Sequence, residues 1–212
     1  MFLEYALRLG IRVDDAAAKA GAHWNHWYWA QSSALLQDLA LGDEMALWVS
    51  YSRRLLGAVG AAGANEEHAQ IITEQFAYYA PQSRLNEGAY ETLTGLKAAG
   101  YTLGLVSNRP NPLDGTVAEL GLGGMFAFTL AAGEIGVWKP DPGILQEAME
   151  RGGCTPEFSV YVGDNYYADV LSAQAAGLTP VLLDPQGIFP DAGCKVIQRL
   201  TELPDWLGQM NE

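Results

Sequence analysis

The sequence predicts an α/β fold, a parallel sheet covered by helices, with an all-helical region ahead of it. Three observations lead there. Before residue 82, apolar residues recur at helical spacing. Beyond it, short apolar runs of strand length alternate with helix-like stretches, the rhythm of βαβ units. The polar residues best suited to chemistry follow directly after those runs, at the edge where ligands bind in open α/β sheets. The boundaries this gives are 1–81 for the helical region and 82–212 for the α/β core.

Element by element, Phe2, Leu3, Ala6, Leu7 and Leu9 make one apolar helix face, which Gly10 ends. Asp14 or Asp15 caps the alanine-rich run Ala16–Ala20. Asp43 starts a helix carrying Met45, Leu47, Trp48, Tyr51, Leu55 and Leu56. Asn65 opens another, with Glu66 and Glu67 in its first turn and Ile71, Ile72, Gln75, Phe76 and Tyr79 following, and Pro81 closes it. In the core, Ala89–Ala99 reads as a helix stopped by Gly100. Strands are expected at Tyr101–Val106, Phe126–Leu130, Ser159–Val162 and Thr179–Leu183. Helices are expected between them at Leu113–Leu120, Pro142–Arg151 and Asp169–Ala176. Right-handed crossovers bring the C-terminal ends of such strands to one edge.

Composition narrows the function. The chain has 212 residues, with 12 Lys+Arg against 25 Asp+Glu and a formal net charge of −13. No basic stripe exists to displace counterions from phosphates, so a nucleic-acid partner is not expected. The longest uncharged window, Ala20–Gln37, contains His23, Asn25, His26, Gln31 and two serines, so no membrane span or membrane partner is expected. Cys154 and Cys194 lie far apart and outside any CxxC pair, which argues against a disulfide framework and for a reduced, cytoplasmic setting. His23 and His26 stand three apart, but no further Cys or His accompanies them to complete a zinc site. Trp24, Trp27, Tyr28 and Trp29 crowd into six residues, as helical-region core or as a surface that meets substrate or a partner.

The chemistry gathers at strand ends and in a βα loop. YTLGLV runs into Ser107-Asn108, SVYV runs into Gly163-Asp164-Asn165, and Lys139-Pro140-Asp141-Pro142 lies between them. Taken singly, Ser107 is a turn or cap residue, Lys139 a solvated charge and Asp164 the cap of the next helix. Together, in this order, they supply a hydroxyl, a cation and carboxylates, a set suited to binding an anion with a divalent metal.

The runs GYTLGLVSN, VWKPDPGIL and YVGDNYYADVLSAQAAGLTPVLL resemble the second, third and fourth motifs of the haloacid dehalogenase (HAD) superfamily, over roughly residues 83–185. The last is the most specific, Gly163-Asp164 followed by four residues and Asp169, and then a helix ending Ala-Ala-Gly. Residues 1–80 look like the helical cap inserted in that family between its first and second motifs. The resemblance implies a Rossmann-like parallel sheet core with an all-helical cap subdomain. It implies a Mg²⁺-dependent phosphohydrolase acting on a small phosphorylated metabolite. It implies that Ser107 bonds a phosphoryl oxygen, Asn108 lines the same pocket, Lys139 neutralises the phosphate, and Asp164 binds Mg²⁺. Asp169, by the same resemblance, supports the metal shell or pairs with Lys139.

The family's first motif, an apolar strand ending Asp-x-Asp-Gly-Thr that carries the nucleophile, is not found. Asp14-Asp15 precedes alanines and reads as a cap; Leu113-Asp114-Gly115-Thr116 follows Ser107, out of order, and reads as a turn into a helix. The chain thus reads as truncated against the family pattern, or Met1 is an internal start with the strand upstream. Within these 212 residues hydrolysis is expected to be impaired or absent. The sheet is expected to close by direct pairing of the strands flanking the gap, by another segment, or by another subunit, which makes a homo-oligomer an expectation too. The alternatives are a catalytically silent binding or oligomerisation module and a 2-haloacid dehalogenase.

Overall fold

The computed structural model describes residues 2–61, 63–77 and 83–210, and the chain divides into two units, Met1–Gln82 and Ser83–Glu212. The first unit is helical: α1 (Phe2–Arg8), α2 (Asp15–Trp29), α3 (Ser33–Leu39), α4 (Glu44–Ala58) and α5 (Glu66–Ala77). Side-chain caps start four of them. Asp14 accepts from the Ala17 N–H at 2.8 Å, Ser32 from Leu35 at 3.1 Å, and Asp43 from Ala46 at 2.7 Å. The last is Asn65, whose Oδ1 accepts from the His68 N–H at 3.0 Å at the start of α5. Tyr79 and Pro81, expected at the end of α5, lie outside the described residues.

Two differences from the sequence reading stand out in this unit. The helix capped by Asp14 runs on to Trp29, because Tyr28 is fully buried and anchors its far end. The short α3 was not expected, since its buried face includes a charge, Asp38, beside Ala34 and Leu35. That carboxylate accepts from the Tyr28 hydroxyl at 2.9 Å, from Ser50 Oγ at 2.8 Å and from the Arg54 guanidinium at 3.1 Å. Burial pushes its pKa up, but these hydrogen bonds and Arg54 outweigh burial and hold it below the usual carboxylate value. The aromatic residues pack on one another: Trp24 and Trp29 each lie 5.0 Å from Tyr28, centroid to centroid, and Tyr51 lies 5.1 Å from it.

The second unit is α/β. It comprises α6 (Ala89–Ala98), β1 (Gly104–Ser107), α7 (Asp114–Glu119), β2 (Phe128–Ala131), α8 (Ala132–Ile135), α9 (Gly143–Gly152) and β3 (Val160–Gly163). A π-helical turn (Tyr166–Val170) then leads into α10 (Leu171–Ala176), β4 (Thr179–Leu183), β5 (Lys195–Ile197) and α11 (Leu203–Met210). Every ladder is parallel: β1 pairs β2 with Ser107 opposite Ala131, β3 pairs β4 with Gly163 opposite Leu182, and β4 pairs β5. Side chains alternate across β3. Val160 and Val162 pack with Leu96, Val181, Ile197 and Leu203 on the α6–α11 side, while Tyr161 packs with Leu130, Ile144 and Leu145 on the α9 side. Each fully buried Leu or Ile there contributes about 1.5–3 kcal/mol.

Three strands sit one to three residues further along the chain than the apolar runs imply, so Ser107 and Gly163 are themselves the last strand residues. The expected helix Asp169–Ala176 is divided: its first residues belong to the π-helical turn, because Asp169 is drawn inward by the contacts described below. β5, α8 and α11 were not anticipated. Among the described residues β1 and β3 do not pair directly, so the sheet stands as β1–β2 and β3–β4–β5. A hydrogen bond from the Tyr161 hydroxyl to the Val106 carbonyl, at 3.5 Å, reaches across that division.

Candidate functional site

The ends of β1 and β3 position the site, with the loop after α8 that carries Lys139. Ser107 closes β1, half-buried, and Asn108 follows it. The two polar ends of the Asn108 amide are both spent on one residue. Its Nδ2 donates to the Lys139 carbonyl and its Oδ1 accepts from the Lys139 N–H, each at 2.8 Å. Asn108 therefore positions the lysine's backbone, at the start of a cis Lys139–Pro140 bond, beyond the pocket-lining part implied for it. The loop after Asn108 lies close against α8. Gly133 donates to the Arg109 carbonyl at 3.1 Å, and a Cβ at position 133 would overlap the Pro110 carbonyl, which is why glycine stands there.

Lys139 is 6% exposed, unusual for a lysine without partners. Its Nζ donates to Asp169 Oδ1 and to the Tyr161 hydroxyl, both at 2.7 Å. Burial pushes the ammonium toward its neutral form, but Tyr161 and Asp169 outweigh burial and lift the pKa above the ordinary lysine value. Burial in turn pushes the Tyr161 phenol up to about 12. At neutral pH the lysine is thus charged and the phenol neutral. An ammonium has three N–H donors, and two are engaged here.

The Asp169 carboxylate is equally committed. Oδ1 takes Lys139, and Oδ2 accepts from the Asn165 N–H at 2.8 Å. Asn165 Oδ1 caps the turn by accepting from Ala168 at 3.1 Å. A Cβ at Gly163 would overlap the Asp169 carboxylate, so the GD pair needs its glycine for this approach. Asp164, next in the chain, is exposed at the end of β3 and takes no part in this network.

Of the residues singled out from sequence, Lys139, Asp169 and Asn108 are thus bonded into one group, while Ser107 ends β1 and Asp164 follows the last residue of β3. Of the two tasks implied for Asp169, the geometry shows the pairing with Lys139. Among the described residues no cluster of three or more His, Cys, Asp or Glu is placed to hold a metal ion. Mg²⁺ keeps most of its waters and binds proteins through one or two carboxylates plus phosphate; Asp164, exposed beyond β3, is a carboxylate that could hold it, while Asp169 is committed to Lys139 and Asn165. Sequence reasoning missed Tyr161. The available signal was a tyrosine between two valines in the strand run Ser159–Val162.

Comparison with known proteins gives consistent relatives. A family model described as haloacid dehalogenase-like hydrolase matches residues 3–177. Human haloacid dehalogenase-like hydrolase domain-containing protein 3 is 36% identical over 186 residues, covering 85% of this chain and 73% of that protein. Phosphoserine phosphatase from Thermus thermophilus is 31% identical over 163 residues, covering 69% of this chain and 65% of the relative. The crystal structure of a 2-haloacid dehalogenase from Pseudomonas syringae pv. Tomato superposes with a TM-score of 0.57 at 28% identity, covering 94% of each chain. The matched stretches cover from 39% to 77% of the curated relatives' own lengths. No helix among the described residues is long and apolar enough to cross a membrane.

Proposed function

The chain belongs to the haloacid dehalogenase-like hydrolase family, and from that premise we propose that its α/β unit binds the phosphate group of a small phosphorylated metabolite together with Mg²⁺. The supporting observation is the buried Lys139, its ammonium held by Asp169 and Tyr161 and its backbone by Asn108, beside the ends of β1 and β3. Its remaining N–H faces an anion with no need to reorganise, the condition under which a fixed charge acts most strongly. The Ser107 hydroxyl donates to a second phosphoryl oxygen. Asp164 would hold Mg²⁺, which supplies further neutralisation of the phosphoryl charge. Named phosphatases among the relatives, such as the Thermus thermophilus phosphoserine phosphatase, support phosphate chemistry over dehalogenation.

Turnover is a separate matter. Asp14 caps α2 and Asp114 sits in the first turn of α7, so both carry helix starts. Among the described residues the only carboxylate bonded to Lys139 is Asp169, which its own two bonds hold in place. We therefore propose that these 212 residues bind phosphate and Mg²⁺ but hydrolyse phosphate esters weakly or not at all.

The test combines calorimetric binding of inorganic phosphate and Mg²⁺ with hydrolysis of p-nitrophenyl phosphate, for the folded chain and for Asp164→Asn. Expected are Mg²⁺-assisted phosphate binding that the substitution removes, and little turnover. Rapid Mg²⁺-dependent hydrolysis abolished by the substitution would overturn the impairment while keeping the site. Folded protein that binds neither phosphate nor Mg²⁺ would overturn the reading itself.

A further inference from the structure

Asp184 is a buried carboxylate for which the site just described has no task. It follows β4 directly and is 4% exposed. Both oxygens are satisfied by backbone amides: Oδ1 accepts from Ile188 at 3.0 Å and Oδ2 from Phe189 at 2.8 Å. Its own N–H donates to the Ile197 carbonyl at 2.8 Å, tying the loop's start to β5. The carboxylate thus closes a six-residue loop and fixes where Phe189 stands. A buried carboxylate costs several kcal/mol to desolvate, so such a residue at a loop whose only task is connection would be poor economy.

What Phe189 stands against gives that placement a use. Its ring stacks on Tyr166, with centroids 5.1 Å apart and planes 20° from parallel, and meets Tyr167 edge-on at 6.0 Å. Tyr166 and Tyr167 contact each other edge-on at 5.3 Å. Val170 and Leu182, both almost wholly buried, pack with Phe189 in the same cluster. The two tyrosines open the π-helical turn, between Asp164-Asn165 on one side and Asp169 on the other. A π-helical turn is a rare conformation, met mostly as a single turn within an α-helix and often at functional sites. A shift of one residue into α-helical register would rotate Asp169 by about 100° and carry it away from Lys139.

We propose that Asp184 and Phe189 form a brace that holds the π-helical turn in place, and that both are positioning residues for Asp164 and Asp169. The brace rests on the phosphate and Mg²⁺ reading for its purpose, but on the loop geometry alone for its existence. Removing the ring frees the turn, displaces Asp169 from Lys139, and leaves Asp164 aimed over a wider range.

The experiment uses the full chain with Phe189→Leu, Phe189→Tyr and Asp184→Asn, beside Ile197→Val as a destabilised control on the other face of the sheet. Hydrogen exchange is read at the amides of 164–170, and Mg²⁺ affinity is read with the metal alone by calorimetry. Phe189→Leu and Asp184→Asn are expected to speed exchange at the Asp169 amide about tenfold beyond the control and to weaken Mg²⁺ binding about tenfold, the scale of lost outer-shell support. Phe189→Tyr, which keeps the stack, is expected to match the unsubstituted chain. Exchange at 164–170 that rises no more than in the control overturns the brace. If the unsubstituted chain binds no Mg²⁺, the metal reading falls while the exchange result still decides the brace. If Phe189→Leu does not fold, Asp184→Asn, which keeps one acceptor, carries both readouts.

Discussion

Asp169→Asn tests whether the buried ion pair is the electrostatic centre of the α/β unit. The side chains of Lys139 and Asp169 are 8% and 6% exposed, and the charges meet at 2.7 Å. The substitution keeps the shape and removes the compensating charge. Breaking such a pair from one side costs about 3–5 kcal/mol, because the other charge is left buried. The lysine has one escape, to lose its proton. Its ordinary value of about 10.4 lies some 3.4 pH units above neutrality, so escape at pH 7 costs roughly 4.6 kcal/mol, a ceiling on the loss, and at pH 9 only about 1.9 kcal/mol.

The variant's deficit must therefore shrink with rising pH. In the variant, burial lowers the folded-state lysine pKa below the unfolded value, so the penalty is full at low pH and fades as pH climbs toward 10. In the unsubstituted chain the folded pKa is raised, so its contribution is fully present below the unfolded value and constant between pH 7 and 9. Tyr161, at about 12, does not titrate in that window. Urea unfolding at pH 7 and 9 is the assay, and Trp138 and Trp206 report on the α/β unit. The expected deficit is about 3–4.5 kcal/mol at pH 7 and about 2 kcal/mol or less at pH 9. Adding Lys139→Met, which removes the orphaned charge, should recover at least half of it. A deficit equal at both pH values, or below about 1 kcal/mol at pH 7, would refute the reasoning, since that is the size of a solvent-screened pair.

Three further outcomes follow from the same geometry. Asn108→Ala removes both hydrogen bonds to the Lys139 backbone and should lower stability by about 1–3 kcal/mol by chemical denaturation, with phosphate affinity falling more than in a core variant of equal stability. Gly163→Ala drives a methyl into the Asp169 carboxylate and should cost about 1–3 kcal/mol, with exchange of the Asn165 and Asp169 amides accelerated. In the helical unit, the depressed pKa of Asp38 means its contribution is present above the ordinary carboxylate value and lost as pH falls through the folded value. Near-ultraviolet circular dichroism of the surrounding aromatic residues should therefore show an acid transition, and Asp38→Asn should lower stability at pH 7 while flattening that acid limb.

The α/β class, the strand order along the chain and the residues at the strand ends were legible because each rests on a local signal. Ser107, Lys139 and Asp164 each follow or separate apolar runs whose length alone marks them. What was not legible depends on tertiary contact. The strands slide toward their polar ends because pairing opposite Ala131 and Leu182 fixes register, and no single run encodes its partner. The π-helical turn exists because Asp169 reaches Lys139 thirty residues earlier, and period counting sees an ordinary helix there. Asp38 hid α3 for the same reason: a charge reads as a solvent face until Tyr28, Ser50 and Arg54 are known to meet it. β5 is three residues long, too short for alternation to register.

The division of the sheet gives Tyr161 a larger part than its single hydroxyl suggests. It lies on β3, bonds Lys139 with its oxygen as acceptor, and reaches the Val106 carbonyl on β1 with its proton. Lys139 is in turn bonded to Asn108, the residue beyond the end of β1, and to Asp169 beyond β3. Two parallel sheets that share no backbone hydrogen bonds among the described residues are thus joined through one lysine and its partners. The same ammonium must fix the relation of the strand ends and face the anion that those ends would hold. Substitutions at Lys139 should therefore not separate into binding effects and structural effects: loss of phosphate affinity and faster exchange along β1 and β3 should rise together across a Lys139→Arg, Lys139→Gln and Lys139→Met series. A variant that loses one without the other would show that the joint and the binding group are distinct.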